Sequence, residues 1–227
     1  MGLDGYERYA VYWAPAPGSA LAEAGADWLG WDPAACQPRP QSEAQAALTE
    51  APRRYGFHAT LKPPFRLNRG THPADLDAAL AALAAEIAPV AAPPLALDAA
   101  LGFAALRPSG PCPELDALAA ACVTRLDPLR APLSEAELEK RRAGRLEPRE
   151  EAHLRRWGYP YVLDAFRFHL TLSGRLHPEA APAVLARAAA AFGPAIAGPL
   201  AIDALCLFGD PGAGAAFHLV ARHRLAG

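Results

Sequence analysis

Two stretches decide how this chain is read: YGFHATLKPPF at residues 55–65 and FRFHLTLSG at residues 166–174. In the first, Phe57, Ala59 and Leu61 alternate with His58, Thr60 and Lys62. In the second, Phe166, Phe168, Leu170 and Leu172 alternate with Arg167, His169, Thr171 and Ser173. A period of two marks a strand with one apolar and one polar face. Residues i and i+2 of a strand point the same way, about 6.5–7 Å apart. Each stretch therefore presents a histidine beside a threonine, and Pro63-Pro64 is expected to end the first strand.

The elements after each motif are repeated too. A helix pattern over 73–88 opens at Pro73 and sets Leu76, Leu80, Leu83 and Ile87 at helical spacing. The stretch 94–106, PLALDAALGFAAL, then reads as a strand or strand pair. The second copy has a helix over 178–192, opening at Pro178-Glu179, then a strand over 199–209 and a last strand, AFHLVARHRL. His58-Ala-Thr-Leu61 matches His169-Leu-Thr-Leu172, at an offset of 111. Pro94-Leu-Ala-Leu-Asp-Ala99 matches Pro199-Leu-Ala-Ile-Asp-Ala204, at an offset of 105, so six residues differ in length between the two matches. A strand–helix–strand order met twice predicts an internal duplication: an α+β fold of two lobes related by a pseudo-twofold. The expected limits are about 50–111 for the lobe with the first motif and about 164–227 for the lobe with the second. The segment 112–163 lies outside the repeat, with helix patterns at 114–127 and 134–156. It reads as an insertion between lobes or a cover over the site. Upstream, RYAVYWA at 8–14 is an opening strand, 19–29 a helix with Ser19 as N-cap, and 41–50 a short helix.

Composition sets the frame. The 227 residues are 52% apolar and 20% charged, ordinary for a globular protein able to bury a core without staples. A net charge of -2 argues against a general nucleic-acid binder and leaves room for a small anionic ligand at a local positive site. Cys36, Cys112, Cys122 and Cys206 form no Cys-x-x-Cys, zinc or haem pattern and read as reduced thiols. The first residues lack a signal-peptide pattern, and no uninterrupted apolar run approaches ~20 residues, so a cytoplasmic protein is expected.

Two imidazoles and two hydroxyls facing one groove suit phosphate-ester chemistry. Histidine titrates near neutral pH and serves as general acid or base. Threonine hydroxyls can hydrogen-bond non-bridging oxygens. Zinc sites need three or four protein ligands, and no His-x-His, His-Glu-x-x-His or aspartate cluster is present, so neither metal nor cofactor is expected. There is no Walker loop, Gly-x-Gly-x-x-Gly or Gly-x-Ser-x-Gly; GDPGAGAAF at 209–217 reads as a hairpin turn. Lys62 and Arg167 share the histidines' strand faces and are candidate phosphate ligands, with solvated strand residues as the plainer alternative. Tyr55, Trp157, Tyr159, Tyr161 and, more weakly, Tyr12 are candidates to stack on a sugar or base, against ordinary core packing. Arg53 and Arg54 read as surface residues, and His72, His153 and His177 as exposed. His218 and His223 are oddly spaced on the last strand and point to opposite faces.

The paired His-x-Thr-Leu motifs on a duplicated frame resemble the two-histidine (2H) phosphoesterase superfamily. The longer strings RRYGFHATLKPPF and RWGYPYV…FRFHLTLSGRL resemble an uncharacterised branch of it associated with phosphonate-metabolism gene clusters. The resemblance covers most of the chain, including 112–163. It implies a bilobal α+β fold with two antiparallel sheets around a central groove and helices outside. It further implies His58 and His169 as the catalytic pair and Thr60 and Thr171 as phosphate ligands. The activity expected is a hydrolase: a metal-independent cyclic phosphodiesterase opening a 2′,3′-cyclic or related ribose or nucleotide cyclic phosphate. The alternatives are an RNA-end joining enzyme and a non-catalytic protein that binds nucleotides or RNA ends.

Overall fold

The computed structural model describes residues 2–227. Its strands, in chain order, are β1 Arg8–Trp13, β2 Trp31–Asp32, β3 Gln37–Pro38, β4 Ala59–Phe65, β5 Val90–Ala92, β6 Leu95–Asp98, β7 Ala105–Pro108, β8 Leu170–Thr171, β9 Leu200–Ile202, β10 Ala204–Asp210 and β11 His218–Arg224. The helices are α1 Ala20–Leu29, α2 Glu43–Leu48, α3 Glu50–Arg53, α4 Pro73–Glu86, α5 Pro113–Arg125, α6 Glu135–Arg142, α7 Pro148–Trp157 and α8 Ala181–Phe192. Seven strands form one antiparallel sheet in the order β11-β10-β1-β4-β8-β7-β6; β2-β3 and β5-β9 are separate ladders. The fold is α+β, as the alternating and helical patterns require.

The large sheet has a seam. β4 and β8 pair only at Ala59↔Leu170. This joins a four-stranded half, β11-β10-β1-β4, to a three-stranded half, β8-β7-β6. The two motif strands are thus neighbours at the centre of the molecule.

The halves of the sheet mix strands from both repeats. β4 of the first repeat lies with β10 and β11 of the second; β8 of the second lies with β6 and β7 of the first. The helices stay with their motif strands: α4 packs on β10 and β11, and α8 on β6. Each repeat therefore sends its later strands across to the other half. The two crossing segments pair as β5 and β9, Val90↔Ile202 through Ala92↔Leu200. Buried backbone groups need partners, and two antiparallel crossing segments supply them to each other.

Alternation in β1 shows the two faces. Tyr9, Val11 and Trp13 enter the large core with Ala59, Leu61, Leu170 and Leu172. Ala10, Tyr12 and Ala14 enter a small cluster with Cys206, Phe208 and Phe217 on the other face. Several local expectations needed adjustment. β4 runs through Pro63-Pro64 to Phe65, because β8 leaves that edge unpaired beyond Ala59 and the register with β1 shifts there, so no ladder donor is lost. The second motif is extended and buries Phe166, Phe168, Leu170 and Leu172, but only Leu170–Thr171 joins the ladder. The stretch 134–156 is two helices, broken around Gly144 and Arg145, which has a left-handed φ of 51°. Within 112–163, α5 buries Leu115, Leu118, Ala119 and Cys122 in the large core, whereas α6 buries nothing and α7 only Leu154. α5 is thus part of the core, and α6–α7 lies at the surface. No helix is long and apolar enough to cross a membrane.

Candidate functional site

The strand pattern places the motif residues without further help. Ala59, Leu61, Leu170 and Leu172 face the large core. His58, Thr60, His169 and Thr171 therefore project from the opposite face. Carrying the Ala59↔Leu170 register one residue either way sets His58 opposite Thr171 and Thr60 opposite His169. His58 and Thr171 line one cavity, and Thr60 and His169 stand where the ladder between the two strands has ended. The four polar groups form a quartet centred on the Ala59/Leu170 pair.

Both imidazoles are held in the same manner. His58 Nδ1 lies 2.9 Å from the Gly56 carbonyl, and His169 Nδ1 lies 2.7 Å from the Arg167 carbonyl. A carbonyl only accepts, so each Nδ1 carries the hydrogen and each Nε2 presents a lone pair to the groove. Thr60 Oγ1 is 3.2 Å from His58 Nε2 and donates to it. Gly56 has a φ of 71°, and a Cβ there would meet Pro33 Cγ at 2.8 Å, so only glycine fits the turn that supplies this carbonyl.

Burial lowers both histidines. His58 falls from 6.5 to about 4: desolvation leads, the Gly56 carbonyl opposes it, and His169 lowers it further. His169 is lowered by desolvation, raised by the Arg167 carbonyl and lowered again by Arg107. Both rings are neutral near pH 7, so positive charge for an anion has to come from elsewhere.

Tyr12, 1% exposed, stacks on His58 with ring centroids 3.8 Å apart and 25° between planes. Tyr55 lies 6.1 Å from His58 and 5.0 Å from Phe217. A cavity of about 180 Å³ is lined by Tyr55, Gly56, His58, Thr171 and Ser173, among others. Tyr12, the weakest aromatic candidate from the sequence, is thus in contact with a motif histidine.

The other candidates divide. Tyr159 packs edge-on against Tyr161 at 5.7 Å, with Tyr161 47% exposed. Trp157 carries the Arg156 guanidinium over its ring at 4.2 Å. Lys62 requires correction as a phosphate ligand: it is 1% exposed, donates to the Val123 carbonyl at 3.1 Å and faces Asp127 at 3.5 Å. Alternation put it on the polar face, but the register with β1 shifts between Tyr12 and Val11, which sets Lys62 opposite Val11 on the large-core face, against α5 and the turn after it. Arg167 turns its Nη1 back to the carbonyls of Asp164 and Phe166. It borders a separate cleft of about 330 Å³ that it shares with Arg107 and Ser109. Arg53 and Arg54 are not free surface groups: Arg53 donates to the Leu29 and Ala46 carbonyls, and Arg54 pairs with buried Asp210. His153 is half-buried against Asp164 and the Pro160 carbonyl, not exposed. His218 and His223 do not point to opposite faces: the register of β11 with β10 shifts between them, so His218 opposite Gly209 and His223 opposite Leu205 share the large-core face, where they meet Tyr6 and Asp77 respectively. Arg107 and Phe103, 5.7 Å from His169, were missed, because nothing in the strand pattern at 94–106 distinguishes a groove-facing residue.

Residues 60–218 match the family described as "Protein of unknown function (DUF1045)". The chain is 42% identical over 228 residues to the ribose 1,5-bisphosphate phosphokinase PhnN of Janthinobacterium sp. (strain Marseille), covering 96% of this chain and 50% of that protein. It is 44% identical over 219 residues to the protein of the same name from Laribacter hongkongensis (strain HLHK9), covering 93% of this chain and 50% of that protein. The chain spans about half the length of these relatives. Their name overturns the expectation of a cyclic phosphodiesterase. A phosphokinase moves a phosphoryl group between molecules, whereas the expected hydrolase opens a diester with water.

Proposed function

The chain belongs to the family described as DUF1045, and from that premise we propose that it supplies the ribose-phosphate-binding half of a phosphoryl-transfer protein of the kind its relatives are named for. The observation that carries this reading is the quartet of His58, Thr60, His169 and Thr171 at the sheet's seam. The Thr171 hydroxyl donates to a phosphate oxygen, and Thr60 does the same by giving up its hydrogen bond to His58 Nε2, which frees that nitrogen. The neutral Nε2 atoms accept from ribose hydroxyls or from a protonated phosphate oxygen. A duplicated strand–helix–strand unit with one His-x-Thr per copy and the two motif strands side by side also supports placing the chain in the 2H phosphoesterase superfamily by architecture. The hydrolytic activity of that superfamily is not carried over.

A kinase also needs a triphosphate cradle, commonly a Gly-Lys-[Ser/Thr] loop. The chain's two lysines, Lys62 and Lys140, follow Leu61 and Glu139. On this reading that part of the chemistry belongs to the half of the relatives that this chain does not match, and the protein works in the cytoplasm in phosphonate metabolism.

Calorimetric titration with ribose 5-phosphate and ribose 1,5-bisphosphate at pH 7 tests the proposal. Binding is expected, weakened about tenfold in His58→Ala and in His169→Ala, the equivalent of one good hydrogen bond. No binding to the unmodified chain, or unchanged affinity in both variants, would overturn it.

A further inference from the structure

Both motif imidazoles are neutral near pH 7, so an anionic ligand in the groove needs a cation from another residue. Several nearby cations are engaged elsewhere. Lys62 is held at Val123 and Asp127, Arg53 donates to the Leu29 and Ala46 carbonyls, and Arg8 and Arg54 share buried Asp210. Arg107 is placed differently. Its strand, β7, runs along the second motif through three successive steps: the Leu172 N–H donates to the Ala104 carbonyl at 2.8 Å, Ala105 faces Thr171, and Leu106 faces Leu170. The next step sets Arg107 opposite His169. Ala104, Leu106, Leu170 and Leu172 enter the large core. Arg107 therefore projects from the other face, with His169 and Thr171. The Phe103 ring, 5.7 Å from the His169 ring, ties the same segment to this histidine by side chain as well as by backbone.

One edge of this guanidinium stays open. Arg107 Nη1 donates to Asp98 Oδ2 at 2.7 Å. Asp98 stands opposite Ala105 in β6, so its side chain rises from the same face. Among the described residues no hydrogen bond engages Arg107 Nε or Nη2, and the side chain is 29% exposed. Its strand neighbours on that face, Ala96 and Ala105, carry only methyl groups. Arg107 also borders the cleft of about 330 Å³ together with Ser109, Arg167 and Phe168, the last two being the residues that lead into His169. Its charge is felt at the histidine: His169 is lowered first by desolvation and further by Arg107. A carboxylate on one nitrogen fixes the plane of the fork, and the Nε–Nη2 edge is left in the geometry that donates in parallel to two phosphate oxygens.

We infer that Arg107 binds a phosphate group of the ligand in the histidine–threonine groove through its Nε–Nη2 edge, with Asp98 holding the guanidinium in place. The inference rests on the proposed ribose-phosphate groove and adds the cation that neutral imidazoles and hydroxyls lack. Asp98 then acts in two ways. Its oxygen aligns the fork, and its negative charge opposes an incoming phosphate. An asparagine in its place keeps the oxygen and removes the charge.

The test is calorimetric titration of ribose 5-phosphate at pH 7 into the unmodified chain, Arg107→Ala and Asp98→Asn. Arg107→Ala is expected to weaken binding about 10- to 100-fold, the worth of a charged hydrogen-bonding pair. Asp98→Asn, which also keeps an acceptor for the Ala100 N–H, is expected to hold the affinity or tighten it by up to about tenfold. An ion pair with a purely structural role would make both variants bind more weakly, since each breaks the same pair. Any loss in Asp98→Asn therefore overturns the inference, as does unchanged affinity in Arg107→Ala. The groove reading survives either result if His58→Ala and His169→Ala still weaken binding. An unmodified chain that binds no ribose 5-phosphate overturns the groove reading and this inference with it.

Discussion

His58 and His169 occupy matching places in the two repeats and hold their Nδ1 atoms to the same kind of carbonyl, yet their surroundings differ. On the four-stranded side, β1 stands between β4 and β10 and brings Tyr12 against His58 at 3.8 Å, with Phe208 and Phe217 behind it. On the three-stranded side no extra strand intervenes: β7 lies directly against β8, with Ala105 opposite Thr171. His169 there has Phe103 at 5.7 Å and Arg107 within electrostatic reach. One strand without a counterpart turns a symmetric motif pair into a buried aromatic half and a more open half. The lesson is that duplication preserves the reactive groups, while the strands added around them assign each group its environment.

The largest expected effect breaks that asymmetry directly. Tyr12→Ala removes a buried ring from the small core and should cost about 3–5 kcal/mol in urea unfolding, whereas Phe103→Ala on the half-buried side should cost about 1 kcal/mol. Equal costs would show that the two histidines are supported alike.

A smaller effect follows from proton linkage. The His58 pKa is lowered from 6.5 to about 4 in the folded protein, so between those values the unfolded chain binds the proton and the folded chain does not. Stability should be complete above pH 6.5, fall as pH drops toward 4, and level off below it. Discounted for the partial exposure of His58, the loss is about 2 kcal/mol. Replacing His58 with glutamine should flatten that slope more than replacing His169 does; equal flattening would contradict the deeper burial of His58.

The smallest effect concerns Lys62, which lies on the motif strand but outside the groove. Burial lowers it from 10.5 to about 8, with Asp127 opposing the shift. Between pH 10.5 and 8 the unfolded chain holds the proton more firmly, so this lysine destabilises the fold as pH falls through that window and carries the full penalty at pH 7. Lys62→Met should therefore be neutral or stabilising by about 1 kcal/mol, with Asp127 still held by Arg130 and Arg156, and ribose-phosphate affinity should not change. Weakened binding in that variant would return Lys62 to the site.

Much of this was legible in the chain itself. Strict alternation around His58 and His169 put both imidazoles and both threonines on polar faces, because the side-chain period of a strand is two whatever surrounds it. The hidden parts share one cause: they depend on partners distant in sequence. At Lys62 the alternation breaks: a register shift against β1 turns it to the large-core face, where Val123 and Asp127, about sixty residues on, hold it.

By itself the sequence determined the duplication, the α+β class and the four groups at the motif positions, since these follow from local periodicity and spacing. The tertiary structure alone decided that the repeats exchange their later strands through β5 and β9, that β4 and β8 meet at one residue pair, and that Tyr12 lies against one histidine of the two. The physical reason is that a strand's pattern states which face is apolar, but not which strand satisfies its edge. That choice belongs to the pairing and packing of the whole chain.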